Sequence, residues 1–193
     1  MFKTKVKPLD INDELLSFVK HEAQQIVKDD QKYPRKYRTT NFYKKLSPKL
    51  LEIVQGIMVQ HEEASNLIWH YEVFVSKQPV GPHNDRNFFL EREERCDRGM
   101  IIPLEWVGLQ PKTRFFDLFF EDKVNWDGEG FSTLSKEKKL YDKSCMDRTE
   151  DLVWSEKTII FFDSRQVHEA TPFSTTEGDY KLSINGLGYS KTN

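Results

Sequence analysis

The feature that most restricts the fold is a succession of short apolar runs in the C-terminal two-thirds of the chain, rich in β-branched and aromatic residues. They fall at residues 68–75, 100–106, 114–120, 158–162 and 181–187. Runs of this length and composition read as strands, and several of them in sequence predict a β-sheet sandwich or barrel. Residues 121–151 break the rhythm, being polar and charged with Gly128 and Gly130. They predict an insertion or lid, with a short helix at 136–141.

Two helices are predicted ahead of the strands. Across residues 11–28, Leu15, Leu16, Val19, Ala23, Ile26 and Val27 recur at three- and four-residue intervals, with Asn12 as N-cap before Asp13 and Glu14. The second helix starts at Ser47 and Pro48, cap then first-turn proline, and runs through Leu50, Leu51, Ile53, Val54 and Ile57, with a break expected near Gly56. The 193 residues suit one domain. Its expected layout is a helical support region at 1–66 and a β core at 67–190.

Composition advertises no polyanionic partner, without excluding nucleic acid. Lys plus Arg is 29 against Asp plus Glu 31, so no global field attracts nucleic acid or an anionic membrane. No apolar run reaches the length of a membrane span or signal peptide, and the distant Cys96 and Cys145 are expected as reduced thiols; together these predict a cytoplasmic protein. Residues 32–49 carry Lys32, Arg35, Lys36, Arg38, Lys44, Lys45 and Lys49 with Tyr33, Tyr37, Phe42 and Tyr43 interleaved and no acidic residue. That stretch is a candidate grip for a polyanion. The alternative, a linker whose aromatic residues dock on the β core, is the stronger reading.

Two patterns carry chemistry. His83 and Asp85 are two residues apart, so on extended backbone both project to one side and can share an ion. His168 follows the apolar strand 158–162 and an Asp163–Ser164 turn. Two histidines and a carboxylate on a β scaffold form the facial triad suited to iron(II), with open positions for a co-substrate and dioxygen; zinc with a bound water is the rival. Thirteen residues on, Lys181, Ser183 and Asn185 share one strand face while Leu182 and Ile184 share the other. An ammonium beside a hydroxyl suits the far carboxylate of a dicarboxylate.

The order His83-x-Asp85, a long interval, His168, then Lys181-x-Ser183 resembles the 2-oxoglutarate and iron(II)-dependent dioxygenase superfamily. The contexts RGMIIPLEW and TIIFFDSRQVHEATPF resemble the family's inner strands, and the likeness covers residues 67–189. Many members carry arginine where this chain has Lys181. The resemblance implies a double-stranded β-helix, a jelly-roll or cupin-like barrel, with iron(II) held by His83, Asp85 and His168. It also implies that 2-oxoglutarate is anchored by Lys181 and Ser183, with Tyr71 and Asn185 as further contacts. The implied reaction consumes dioxygen and 2-oxoglutarate, releases succinate and CO2, and hydroxylates an amino-acid, peptide or small-metabolite substrate.

Arg86, Phe88 and Trp106 are candidate substrate contacts. His21, His61 and His70 are expected to be structural or surface residues. One alternative is a cupin-like metal protein that does not use 2-oxoglutarate. The other, an oxygenase acting on nucleic acid through residues 32–49, lacks the second arginine of the family's nucleic-acid branch, since the residue six beyond Lys181 is Leu187.

Overall fold

The computed structural model describes residues 4–31, 41–85, 96–121, 124–126, 131–133, 138–139, 146–147, 149–176 and 178–190. Among them the chain opens with β1 (Lys5–Pro8), α1 (Asp13–Gln31), β2 (Asn41–Lys45), α2 (Pro48–Met58) and a 3-10 turn at Glu62–Ala64. The longer strands follow: β3 (Leu67–Ser76), β4 (Cys96–Val107) and β5 (Lys112–Phe119). After β6 (Val124–Trp126), β7 (Phe131–Thr133) and β8 (Lys138–Lys139) come β9 (Thr149–Val153), β10 (Thr158–Asp163), β11 (Gln166–Ala170) and β12 (Tyr180–Ser190).

All named strand pairs are antiparallel. A six-stranded sheet has the order β1-β10-β4-β12-β3-β2, and two three-stranded sheets have the orders β11-β5-β9 and β6-β7-β8. The protein is mostly β, with two helices among the described residues.

Side-chain alternation divides the large sheet into two working faces. Met100, Ile102 and Leu104 on β4, Ile159 and Phe161 on β10, and Leu182 and Ile184 on β12 pack with Val19 and Ala23 of α1 and with Leu50, Val54 and Ile57 of α2. Ile101, Ile160 and Phe162 turn the other way and meet Phe115 of β5 and Trp154. The large sheet therefore buries one face under helices and the other against the second sheet, which is why its strands read as nearly continuous apolar runs.

Both predicted caps form. Asn12 Oδ1 accepts from Leu15 N at 2.8 Å, and Ser47 Oγ accepts from Leu50 N at 3.3 Å. α2 runs unbroken through Gly56 to Met58, because glycine costs a helix roughly 1 kcal/mol but keeps its N–H.

Three expectations are corrected. Residues 1–66 are not purely helical, since β1 pairs with β10 and β2 with β3 at the two edges of the large sheet. Of the helix expected at 136–141, the described residues Lys138–Lys139 are strand instead and pair with β7, where a lysine-rich helical signal yields to cross-strand pairing. Residues 149–151 lie within β9, which pairs with β5, so the irregular segment ends earlier than expected.

β4 also carries a bulge where it meets β12. Leu182 faces Glu105 and Ser183 faces Pro103, leaving Leu104 unmatched. Proline lacks a ladder N–H, and its tolerance beside a bulge fits this register shift, which lies next to Lys181.

Candidate metal centre and adjoining pocket

His83, Asp85 and His168 converge. One ligand atom from each lies within 4.8 Å of the others. Asp85 Oδ1 is 3.8 Å from His83 Nε2, and Asp85 Oδ2 is 3.6 Å from His168 Nε2. Two bonds of about 2.1 Å to one ion span up to about 4.2 Å, so each of these two pairs can share a metal.

The backbone brings them together. His83 N donates to His168 O at 3.0 Å and His168 N to His83 O at 2.8 Å, an antiparallel bridge that lays residues 81–85 beside β11. Asp85 N donates to Ser164 O at 2.9 Å, tying the carboxylate's residue to the β10–β11 turn. Between the two ligands, Asn84 is fully buried. Its Oδ1 accepts from Val124 N at 2.9 Å and its Nδ2 donates to Phe120 O at 3.3 Å.

The histidine tautomers follow from their partners. Nδ1 of His83 lies 2.7 Å from Gly81 O, and Nδ1 of His168 lies 3.0 Å from Gln166 O. A carbonyl only accepts, so Nδ1 of each ring carries the proton and the Nε2 lone pair faces Asp85. The His168 ring is held against Phe162 and Phe115, with centroids at 4.7 and 5.5 Å. Room for Phe162 depends on Gly99, where an added Cβ would stand 2.1 Å from Phe162 Cζ.

The adjoining pocket is lined by the triad together with Tyr43, His70, Glu72, Phe74, Trp154, Lys181 and Asn185, among others. Lys181 is 4% exposed. Its Nζ sits 4.6 Å from the Trp154 ring centroid and 5.3 Å from that of Phe173. Trp154 is fixed beneath it by donating Nε1–H to Thr113 Oγ1 at 3.0 Å. Among the described residues no carboxylate lies within ion-pair reach of Lys181, and burial pushes its pKa down to about 7.

The loop before β12 is fixed by Asp179. Its carboxylate accepts from Thr175 N at 2.6 Å and Thr176 N at 3.0 Å and from both threonine hydroxyls. Those backbone and hydroxyl donors hold its pKa down at about 2.

The other sequence-predicted residues divide. Asn185 lines the pocket, and Ser183, buried on the same face, donates its hydroxyl to Asn185 Oδ1 at 2.8 Å. Tyr71 is a correction. It belongs to the helix-facing core and stacks on Trp69 at 6.1 Å, while His70, Glu72 and Phe74 of the same strand face the pocket. An alternating strand presents every second residue, so a choice one position off reverses the face.

Trp106 packs beside the inner apolar cluster, in register with Lys181, and is not on the pocket wall. His70, expected to be structural or surface, lines the pocket with its ring edge-on to Tyr189 at 5.3 Å. Arg86, Phe88 and Cys145 lie outside the described residues, as do residues 32–40 of the basic stretch. The described part of that stretch, residues 41–49, holds β2 and the start of α2, and in β2 Tyr43 stacks on Phe74 at 4.5 Å and lines the pocket. Among the described residues no helix is long and apolar enough to cross a membrane.

Sequence reasoning passed over Glu72, Asn84 and Trp154, and named Tyr43 only as an aromatic residue of the basic stretch, not as part of the pocket. Only Asn84, enclosed by two candidate ligands, carried a local signal.

No protein-family model matches the sequence. No curated protein matches it either. Solved structures do. The non-haem α-ketoglutarate-dependent carbocyclase SnoK from nogalamycin biosynthesis aligns at TM-score 0.68 and 10% identity, over 97% of this chain and 80% of SnoK. A prolyl-4-hydroxylase of Pseudomonas putida aligns at 0.62 and 13%, over 97% of this chain and 92% of its own. The non-haem α-ketoglutarate-dependent epimerase SnoN, from the same biosynthesis as SnoK, aligns at 0.61 and 12%, over 98% and 79%. At these identities the likeness is one of fold, and the fold is the one that SnoK, SnoN and the prolyl-4-hydroxylase share with this chain.

Proposed function

We propose that this chain is an iron(II)- and 2-oxoglutarate-dependent oxygenase on a double-stranded β-helix, with His83, Asp85 and His168 as metal ligands. Lys181 then receives the distal carboxylate of 2-oxoglutarate. The observation that carries this reading is the Lys181 ammonium, buried in the same pocket as the triad with no carboxylate among the described residues to pair it. An unpaired buried charge costs several kcal/mol, and a dicarboxylate held at the triad supplies the missing anion.

The residues fit both groups. Two imidazoles with their Nε2 lone pairs turned to one carboxylate are a nitrogen and oxygen donor set that leaves positions open at iron(II). When bound, iron(II) and 2-oxoglutarate supply dioxygen activation coupled to release of succinate and CO2.

The protein's own work is placement. Gly81 O and Gln166 O hold the imidazoles in the ligating tautomer. Phe115 and Phe162 shield one side of His168 from water. Ser183 orients the Asn185 amide by donating to its oxygen, which turns the amide nitrogen's donors toward other partners. The reaction we assign is hydroxylation of an amino-acid, peptide or small-metabolite substrate. A cupin-like role without 2-oxoglutarate would leave Lys181 without a counter-charge.

The test is anaerobic visible spectroscopy of the protein with iron(II), before and after 2-oxoglutarate. We expect a charge-transfer band that needs both additions, is lost in His168→Ala and requires more 2-oxoglutarate in Lys181→Ala. Stoichiometric metal binding without any band rejects the co-substrate assignment.

A further inference from the structure

The pocket holds a second charge that the proposed function leaves unused. Asn185 lies four residues beyond Lys181 on the same face of β12, and Glu72 of β3 is its partner in register. At about 3.3 Å per residue, Glu72 stands roughly 13 Å along the sheet from Lys181, so the carboxylate does not serve the ammonium. Glu72 is half-buried, lines the pocket and makes no hydrogen bond or ion pair among the described residues. Burial pushes its pKa up, and Lys45, exposed and opposite it on β2, opposes that shift only through space.

The other carboxylates on the pocket wall are already engaged. Asp85 belongs to the triad, and Glu169 takes Arg114 Nη1 at 3.4 Å. Lys181 is the one lysine or arginine on the wall among the described residues, at the far end. Beside Glu72 are the Tyr43–Phe74 stack, with rings 19° from parallel, and the His70 ring. A half-buried carboxylate without a donor next to aromatic rings matches a cation, which regains the carboxylate's lost solvation and is attracted by the rings.

We infer that this wall recognises the substrate, and that the substrate presents a positively charged nitrogen, an ammonium or guanidinium, which pairs with Glu72 beside the Tyr43–Phe74 stack. Describing the ligand as the substrate rests on the proposed function; the pairing itself does not.

The test is calorimetric titration with butylguanidinium and butylurea, which share a shape and differ in charge. It is run on the protein loaded anaerobically with iron(II) and 2-oxoglutarate, and again on metal-free protein. We expect the cation to bind at least about tenfold more tightly than the urea, and the preference to collapse to within about twofold in Glu72→Gln. Equal affinities in the wild type, or a preference that survives Glu72→Gln, overturns the inference. A preceding 2-oxoglutarate titration keeps the two readings apart: if the wild type takes up none, the co-substrate assignment fails, and the metal-free titrations still decide the role of Glu72.

Discussion

Replacing Lys181 by methionine should make the protein more stable while removing its co-substrate site. In the folded chain the ammonium is buried against Trp154 and Phe173, and its pKa falls from 10.5 to about 7. The unfolded chain keeps the proton up to its ordinary value, so between those limits the unfolded state binds more protons and stability rises with pH. Linkage over that interval gives a penalty of about 4 kcal/mol at pH 7 that shrinks to about 2 kcal/mol at pH 9. Methionine keeps the length and apolar stem without the charge.

Urea unfolding of metal-free wild type and Lys181→Met at pH 7 and pH 9 measures this directly. The variant should be the more stable at pH 7, and its advantage should narrow by about 2 kcal/mol at pH 9. A second series on anaerobic, iron(II)-loaded protein adds 2-oxoglutarate. At a hundredfold excess over the dissociation constant the wild type should gain about 2.7 kcal/mol, and the variant should not respond. A gap that does not change with pH, or a variant less stable at pH 7, would refute the picture of an uncompensated buried ammonium.

Three further outcomes are expected. Gly99→Ala should cost roughly 1–3 kcal/mol in thermal or urea unfolding and weaken iron(II) binding, because the new methyl displaces the Phe162 ring that supports His168; an unchanged metal isotherm counts against that support. Asn84→Ala removes the side-chain ties to Val124 N and Phe120 O between His83 and Asp85 and should weaken metal affinity about 10–100-fold, as calorimetry of iron(II) binding would show. Tyr71→Phe should leave 2-oxoglutarate affinity unchanged, since the ring lies in the helix-facing core; a clear loss by the spectroscopic titration would return Tyr71 to the site.

The helices and the long strands were legible because their signals are local. Asn12 and Ser47 announce the two caps, and β3, β4, β5, β10 and β12 each carry a run of apolar residues long enough to name. The short edge strands were not. Lys5–Pro8, Asn41–Lys45 and Thr149–Val153 are largely polar, and what makes them strands is a partner distant in sequence.

The sequence by itself singled out candidates for chemistry: extended backbone puts His83 and Asp85 on one side and Lys181 and Ser183 on one face, and the order of these pairs around His168, which resembles the 2-oxoglutarate and iron(II)-dependent dioxygenase pattern, joined them into one set. Only the tertiary structure decided what surrounds them. β3 alternates Trp69, Tyr71, Val73 and Val75 with His70, Glu72 and Phe74, and only the packed sheets decide that the first set lies under the helices and the second faces the pocket. The ties of Asn84, the Trp154 floor beneath Lys181, and the lack of a carboxylate near that ammonium among the described residues join residues 27 to 41 positions apart or compare charges across the fold. No local pattern encodes such relations, because they exist only once the sheets have closed on each other.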